Sequence, residues 1–378
     1  MLPLVPEGGI YALQDCKYVS APGVRPRPAA WRVSDVAMGH AEGVSNLDRN
    51  PQAVELGPTT APVHTENATA TSAAVNTVGA VDVVEARKAA IGDGTEVRRL
   101  LPQRVLRTIG AWCFLDHYGP DDVSAGPGMR VPPHPHIGLQ TASWLFSGTV
   151  LHRDSLGHSQ LIRPGELNLM TSGRGIVHSE ESPKTRPPTL HGVQLWIALP
   201  DTQRHRAPDF AHHADLPVVR HGDARVTIIV GEFAGQRSPA TTYTPLIALE
   251  VMLAEAAGDA VGDAWRPAEL PLNPAFEHGV LAIEGPGTVA GAQVAPGLLA
   301  HLPRGTTSVR LDGARFLIIG GAPLHERLVM WWNFVARAGA EMEHARADWM
   351  AGRFGEVSGY DGDPLAAPPL PALPLKPR

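Results

Sequence analysis

Two short segments concentrate the residue types that bind and activate metal ions. The first is Val131-Pro132-Pro133-His134-Pro135-His136-Ile137-Gly138; the second is Gly173-Arg174-Gly175-Ile176-Val177-His178-Ser179-Glu180, with His178 standing 42 residues after His136. Each carries a pair of potential ligands at i and i+2. On an extended strand such residues project to one face, so His134 and His136 can converge on a point that His178 and Glu180 approach from a neighbouring strand. Three imidazoles and a carboxylate would then surround one ion. That donor set suits a divalent transition metal such as iron, manganese, nickel, copper or zinc, whereas calcium and magnesium take shells of oxygen. In a chain with 17 histidines a lone His-x-His is weak; the second pair, with Pro133 and Pro135 stiffening the first, is what points to a shared site.

The remaining candidates carry weaker signals. His152 and His158 flank Arg153-Asp154-Ser155-Leu156-Gly157 and read as turn residues rather than pocket residues. His117 reads as structural, and Cys113, between Trp112 and Phe114, as a buried inert thiol. His278 and His301 in the second half stand without a paired partner.

Strands must position these groups, and the sequence supplies them. From 81 to about 205, apolar runs of strand length (111–115, 141–150, 161–170, 193–199) alternate with turns such as Gly126-Pro127-Gly128 and Pro164-Gly165. The texture returns over 215–330, in 226–230, 246–253, 279–283 and 316–319. Two tandem all-β domains follow, as jelly rolls or similar barrels. Beyond 331, Phe334, Ala338, Met342, Ala345 and Trp349 recur at helical spacing, which predicts an amphipathic helix closed by Gly352 and followed by a Pro-rich tail. Residues 1–80 show no period and read as a disordered extension.

Composition narrows the function classes. Charged residues at 19% and a net charge of −6, without a basic run, argue against nucleic acid as the main partner. Two cysteines, Cys16 and Cys113, exclude a disulfide framework. With no secretory signal and no long apolar run, the chain reads as a cytoplasmic protein acting on a small molecule, away from membranes.

The His134-Pro135-His136 segment with Gly138, the run His152 to Gly157 and the segment Gly173 to Glu180 resemble, in order, signatures of the pirin family of the cupin superfamily. Asp116-His117-Tyr118-Gly119-Pro120, Leu190-His191-Gly192-Val193-Gln194-Leu195-Trp196 and the stretch 238–245 are similar to further pirin segments, so the resemblance spans about 82–335. It implies a bicupin with one Fe(2+) per chain, or another divalent transition metal, bound by His134, His136, His178 and Glu180, and a second domain without metal. Position 140 departs from the pattern, carrying Gln where many pirins have Glu, a change expected to touch the surroundings of the metal.

The resemblance also implies two functions of different classes. One is a quercetinase-type dioxygenase that cleaves a flavonol or related phenolic with O2, Glu180 taking the substrate proton and Trp144, Phe146 and Met170 offering pocket walls. The other is a metal-containing interaction protein, a transcriptional co-regulator or enzyme partner, acting through protein partners without binding nucleic acid directly.

Overall fold

Strands such as Leu246–Leu253 and Arg315–Gly321 are apolar apart from Glu250 and Arg315 because both of their faces are largely buried. In the computed structural model, which describes residues 54–56, 76–78, 81–255 and 265–371, these strands form two antiparallel barrels packed back to back. All described residues belong to one compact unit, Glu42–Arg378.

The first barrel has a seven-stranded sheet in the order Asp209–His213, Leu167–Thr171, Leu139–Ser147, Thr189–Ala198, Trp112–Asp122, Thr95–Leu101, Arg87–Ile91. Its four-stranded partner runs Ser159–Ile162, Val150–Asp154, Ile176–Glu181, Arg130–His136. The two close over Val97, Tyr118, Val131, Leu145, Val150 and Ile162. The second barrel pairs an eight-stranded sheet with a four-stranded one around Val226, Leu249, Val251, Val280, Leu311 and Phe316. Alternate residues of the large sheets turn the other way and meet in a core between the barrels. Ala142, Trp144, Leu169 and Leu195 come from one side; Ile229, Ala248, Leu281, Leu317 and Ile319 come from the other. The Trp112 indole crosses this core to donate to the Gly320 carbonyl at 3.0 Å. The all-β, two-barrel architecture is therefore the one the sequence predicts.

Its boundaries differ from those read along the chain. Val81–Glu85 precedes the first barrel in sequence but joins the second barrel's sheet beside Leu298–Leu302. Asp209–His213, beyond the expected end at 205, pairs with Leu167–Thr171 of the first. The hairpin Leu328–Trp331/Phe334–Ala336 returns from the second barrel to cover Cys113, Phe114, Leu139 and Trp196 of the first. That hairpin consumes Phe334, so the helix starts later than its spacing suggested, at Gly339, and runs to Met350 with Met342 and Ala345 buried. Within the expected 1–80 extension, Val54–Leu56 pairs with Leu328–Met330 and Asn76–Val78 with Val81–Val83. The rest of that expectation lies outside the described residues. No described helix is long and apolar enough to cross a membrane.

Because the core between the barrels is shared, the two should melt together. Leu317→Ala is expected to cost about 2–5 kcal/mol and to move one calorimetric transition as a whole. An endotherm that splits into a shifted and an unshifted part would show that the barrels unfold independently.

Candidate metal centre

The strand carrying His134 and His136 is the edge of its sheet, which is why it tolerates Pro132, Pro133 and Pro135: a proline has no N–H to give to a ladder. It pairs with Ile176–Glu181 so that His134 lies opposite His178. Beyond that pair the register slips and Glu180 falls opposite Val131.

His134, His136 and His178 form a group whose ligating nitrogens all lie within 4.8 Å of one another, the one such group of three or more among the described residues. All three side chains are buried. Hydrogen bonds behind the rings fix their tautomers. His134 Nδ1 lies 2.8 Å from the Pro132 carbonyl and His136 Nδ1 lies 2.9 Å from the Asn333 carbonyl. A carbonyl only accepts, so both Nδ1 atoms carry protons and both Nε2 atoms carry lone pairs.

His178 is fixed by a longer relay. The Asp154 carboxylate accepts from His152 Nε2 at 3.1 Å, which leaves His152 Nδ1 as an acceptor 3.4 Å from His178 Nδ1. His178 Nε2 is then also free, and it faces His136 Nε2 at 3.1 Å. Two lone pairs at that distance repel unless a cation lies between them, so the donor set fits a metal ion. Burial pushes the His134 pKa down to about 4. Burial, reinforced by the neighbouring imidazoles, takes His136 and His178 well below the ordinary value, so all three are neutral near pH 7.

Glu180 is not a member of this group. Its carboxyl is buried, with its pKa raised by burial against the opposing effects of His152 and Ser143. The Ser143 hydroxyl contacts Glu180 Oε1 at 3.1 Å and Gln194 Oε1 at 2.8 Å. One hydroxyl proton cannot serve two acceptors at once. When Glu180 is protonated it donates to Ser143, Ser143 donates to Gln194, and every group is satisfied.

The structure redistributes other residues singled out in the sequence. Trp144 and Phe146 face the core between the barrels and do not line this site. Met170 lies opposite Phe210, on the other face from Leu167 and Leu169, and the Phe210 ring stacks on His152 at 4.4 Å. Gln140 shares the outward phase with Trp144; its amide donates to Thr171 Oγ1 and to the Thr241 carbonyl of the second barrel. His152 and His158 both bond Asp154, so the turn reading was incomplete for His152. His117 bonds His191, Nε2 to Nε2, at 2.8 Å. Burial pushes the Cys113 thiol up to about 12, as an inert thiol requires.

Reading the sequence missed Ser143, Gln194, Asp154 and Asn333. Gln194 and Trp196 left one signal, alternating with apolar Val193, Leu195 and Ile197 on the inward phase of a strand. Trp196 sets its ring edge-on to His136, with centroids 5.0 Å apart.

Comparison with known proteins gives the same picture. Residues 94–197 match the Pirin family and residues 263–355 match the Pirin C-terminal cupin domain. A Pseudomonas aeruginosa protein provisionally named as a quercetin 2,3-dioxygenase is 46% identical over 294 residues, 76% of this chain and 90% of that protein. A pirin-like protein of Caulobacter vibrioides is 36% identical over 280 residues, covering 72% of this chain and 93% of its own. The crystal structure of a quercetin 2,3-dioxygenase from Acinetobacter baumannii superimposes with a TM-score of 0.73 at 43% identity, over 78% of this chain and 96% of that one.

Two outcomes follow from this geometry. Asp154→Asn should weaken divalent-metal binding about 10- to 100-fold in chelator competition by loosening the orientation of His178; unchanged affinity would mean that the relay is incidental. The metal-free protein should also lose thermal stability as pH falls from 7 towards 5. Its unfolded histidines take up protons near pH 6.5, while the folded ones, with lowered pKa values, do not, so protonation favours unfolding. A melting temperature that stays flat or rises over that interval would contradict the assignment of neutral buried imidazoles.

Proposed function

The chain belongs to the pirin family, and on that premise we propose that its first barrel is a metal-dependent dioxygenase cleaving a quercetin-like flavonol or related phenolic with O2. The observation that carries the reading is the convergence of three buried, proton-free imidazole nitrogens, one of them on the strand that also bears a buried carboxyl able to hold a proton. The reading assigns His134, His136 and His178 as ligands, with Glu180 as fourth ligand and proton acceptor.

When bound, a divalent metal such as Fe(2+) would supply a Lewis acid that coordinates a phenolic oxygen and lowers its pKa. The protein's own groups do the rest. Burial makes Glu180 a better proton acceptor than an exposed carboxylate, and a proton arriving on it stays there, donated to Ser143 while Ser143 donates to Gln194, so no group is left unpaired. Phe210, stacked on His152, and Trp196, edge-on to His136, supply flat apolar surface beside the imidazoles, suited to an aromatic substrate, with Met170 opposite Phe210. The low polarity of these walls limits water access to the reacting oxygen. The same reading places the protein in the cytoplasm with a single metal per chain.

The test is oxygen consumption by iron-loaded protein over a panel of flavonols and catechols. Glu180→Gln should lower turnover about 10²- to 10⁴-fold under conditions where metal is retained, and His134→Ala should abolish stoichiometric metal binding while the fold persists. If the intact, loaded protein consumes no oxygen with any of them, the enzymatic reading fails and a metal-containing interaction protein replaces it.

A further inference from the structure

The second barrel holds a cavity of about 1,070 Å³, lined by residues of the segments 231–249 and 271–278 and by Ile318. This is at the upper end of the roughly 300–1,000 Å³ usual for small-molecule sites. Phe233, Leu246, Leu249, Leu272 and Phe276 are among its apolar walls. Two of its lining side chains leave buried polar atoms without a partner: Nδ1 of His278 and Oγ1 of Thr244. His278 is 1% exposed. It is also held in place, since a Cβ added at Gly320 would come within 2.5 Å of its Cδ2. An unsatisfied buried polar atom is destabilising, so two in one cavity are a standing demand for hydrogen bonds.

The charge of the occupant can be read from the same lining. Its charged side chains, Arg237 and Glu232, bond each other at 2.7 Å and leave no free charge for an ionic ligand. Burial pushes the His278 pKa down to about 4, so near pH 7 its imidazole is a neutral partner. The cavity's rim is tied to the first barrel through the Gln140 bond to the Thr241 carbonyl and through Arg206, stacked over Tyr243 at 4.2 Å. A site anchored in this way loses little freedom when it is filled.

We propose that this cavity binds a neutral, hydroxyl-bearing aromatic molecule, held among Phe233, Tyr243 and Phe276 with its hydroxyl on His278 and Thr244. The site is separate from the metal centre and needs none of its ligands.

Calorimetric titration of 2-naphthol into the full-length, metal-free protein tests the assignment. One saturable site is expected, and it should persist in the His134→Ala/His178→Ala variant. Affinity should fall about tenfold or more in His278→Leu and also, with less disturbance to packing, in Thr244→Val. The anionic probe 2-naphthoate should bind at least tenfold more weakly than 2-naphthol. The proposal is overturned by absence of saturable binding, by binding that disappears with the two histidine ligands yet survives Thr244→Val, or by equal affinity for the anion.

Discussion

Three proton-free nitrogens aimed at one point are the constraint around which the first barrel is arranged. Neutral imidazole has two tautomers, and a ligand site works only if the proton is kept on the far side of every ring. Each ring meets that condition by different means. His134 uses a carbonyl two residues away in its own strand. His136 uses a carbonyl from the hairpin that returns from the second barrel. His178 uses an imidazole that is itself set by a carboxylate. The edge strand, the returning hairpin and the Asp154 turn are thus parts of one device, although they are far apart in sequence.

Close approach of backbone to backbone makes that device possible. Gly138 has φ of 71°, and a Cβ there would lie 2.0 Å from the Val335 carbonyl oxygen, so only glycine lets the hairpin seat against the ligand strand. Gly175 has φ of 151°, and a Cβ there would press within 2.5 Å of the Phe354 ring. The glycines that mark the two signature segments serve docking of the C-terminal region, and the ligand histidines within three residues of them inherit the alignment.

What could be read from the residues alone was local. The i, i+2 spacing puts His134 and His136 on one face, because strand geometry has a fixed period. It could not reveal the register slip after His178, and so gave no sign that Glu180 stands outside the group of three. Trp144 and Phe146 looked like pocket walls because both phases of their strand are apolar; when each face is buried, hydrophobicity carries no information about which face is which. The resemblance alone put Gln140 beside the metal, and its phase turns it to the second barrel. Val81–Glu85 and the Phe334 hairpin join sheets far from their neighbours in sequence, and long-range pairing leaves no periodic trace.

The carbonyl that orients His136 lies 197 residues downstream of it. Synthesis proceeds from the N-terminus, and domains ordinarily fold in that order. Here the ligand strands emerge first, but the group that sets one of their protons is made only after the second barrel. A nascent chain therefore carries His136 without the carbonyl that fixes its tautomer, and the site acquires its full ligand geometry only near the end of translation. Premature termination anywhere before Asn333 leaves a ligand set that lacks one of its three supports, so chain completion itself becomes a condition for a properly formed centre.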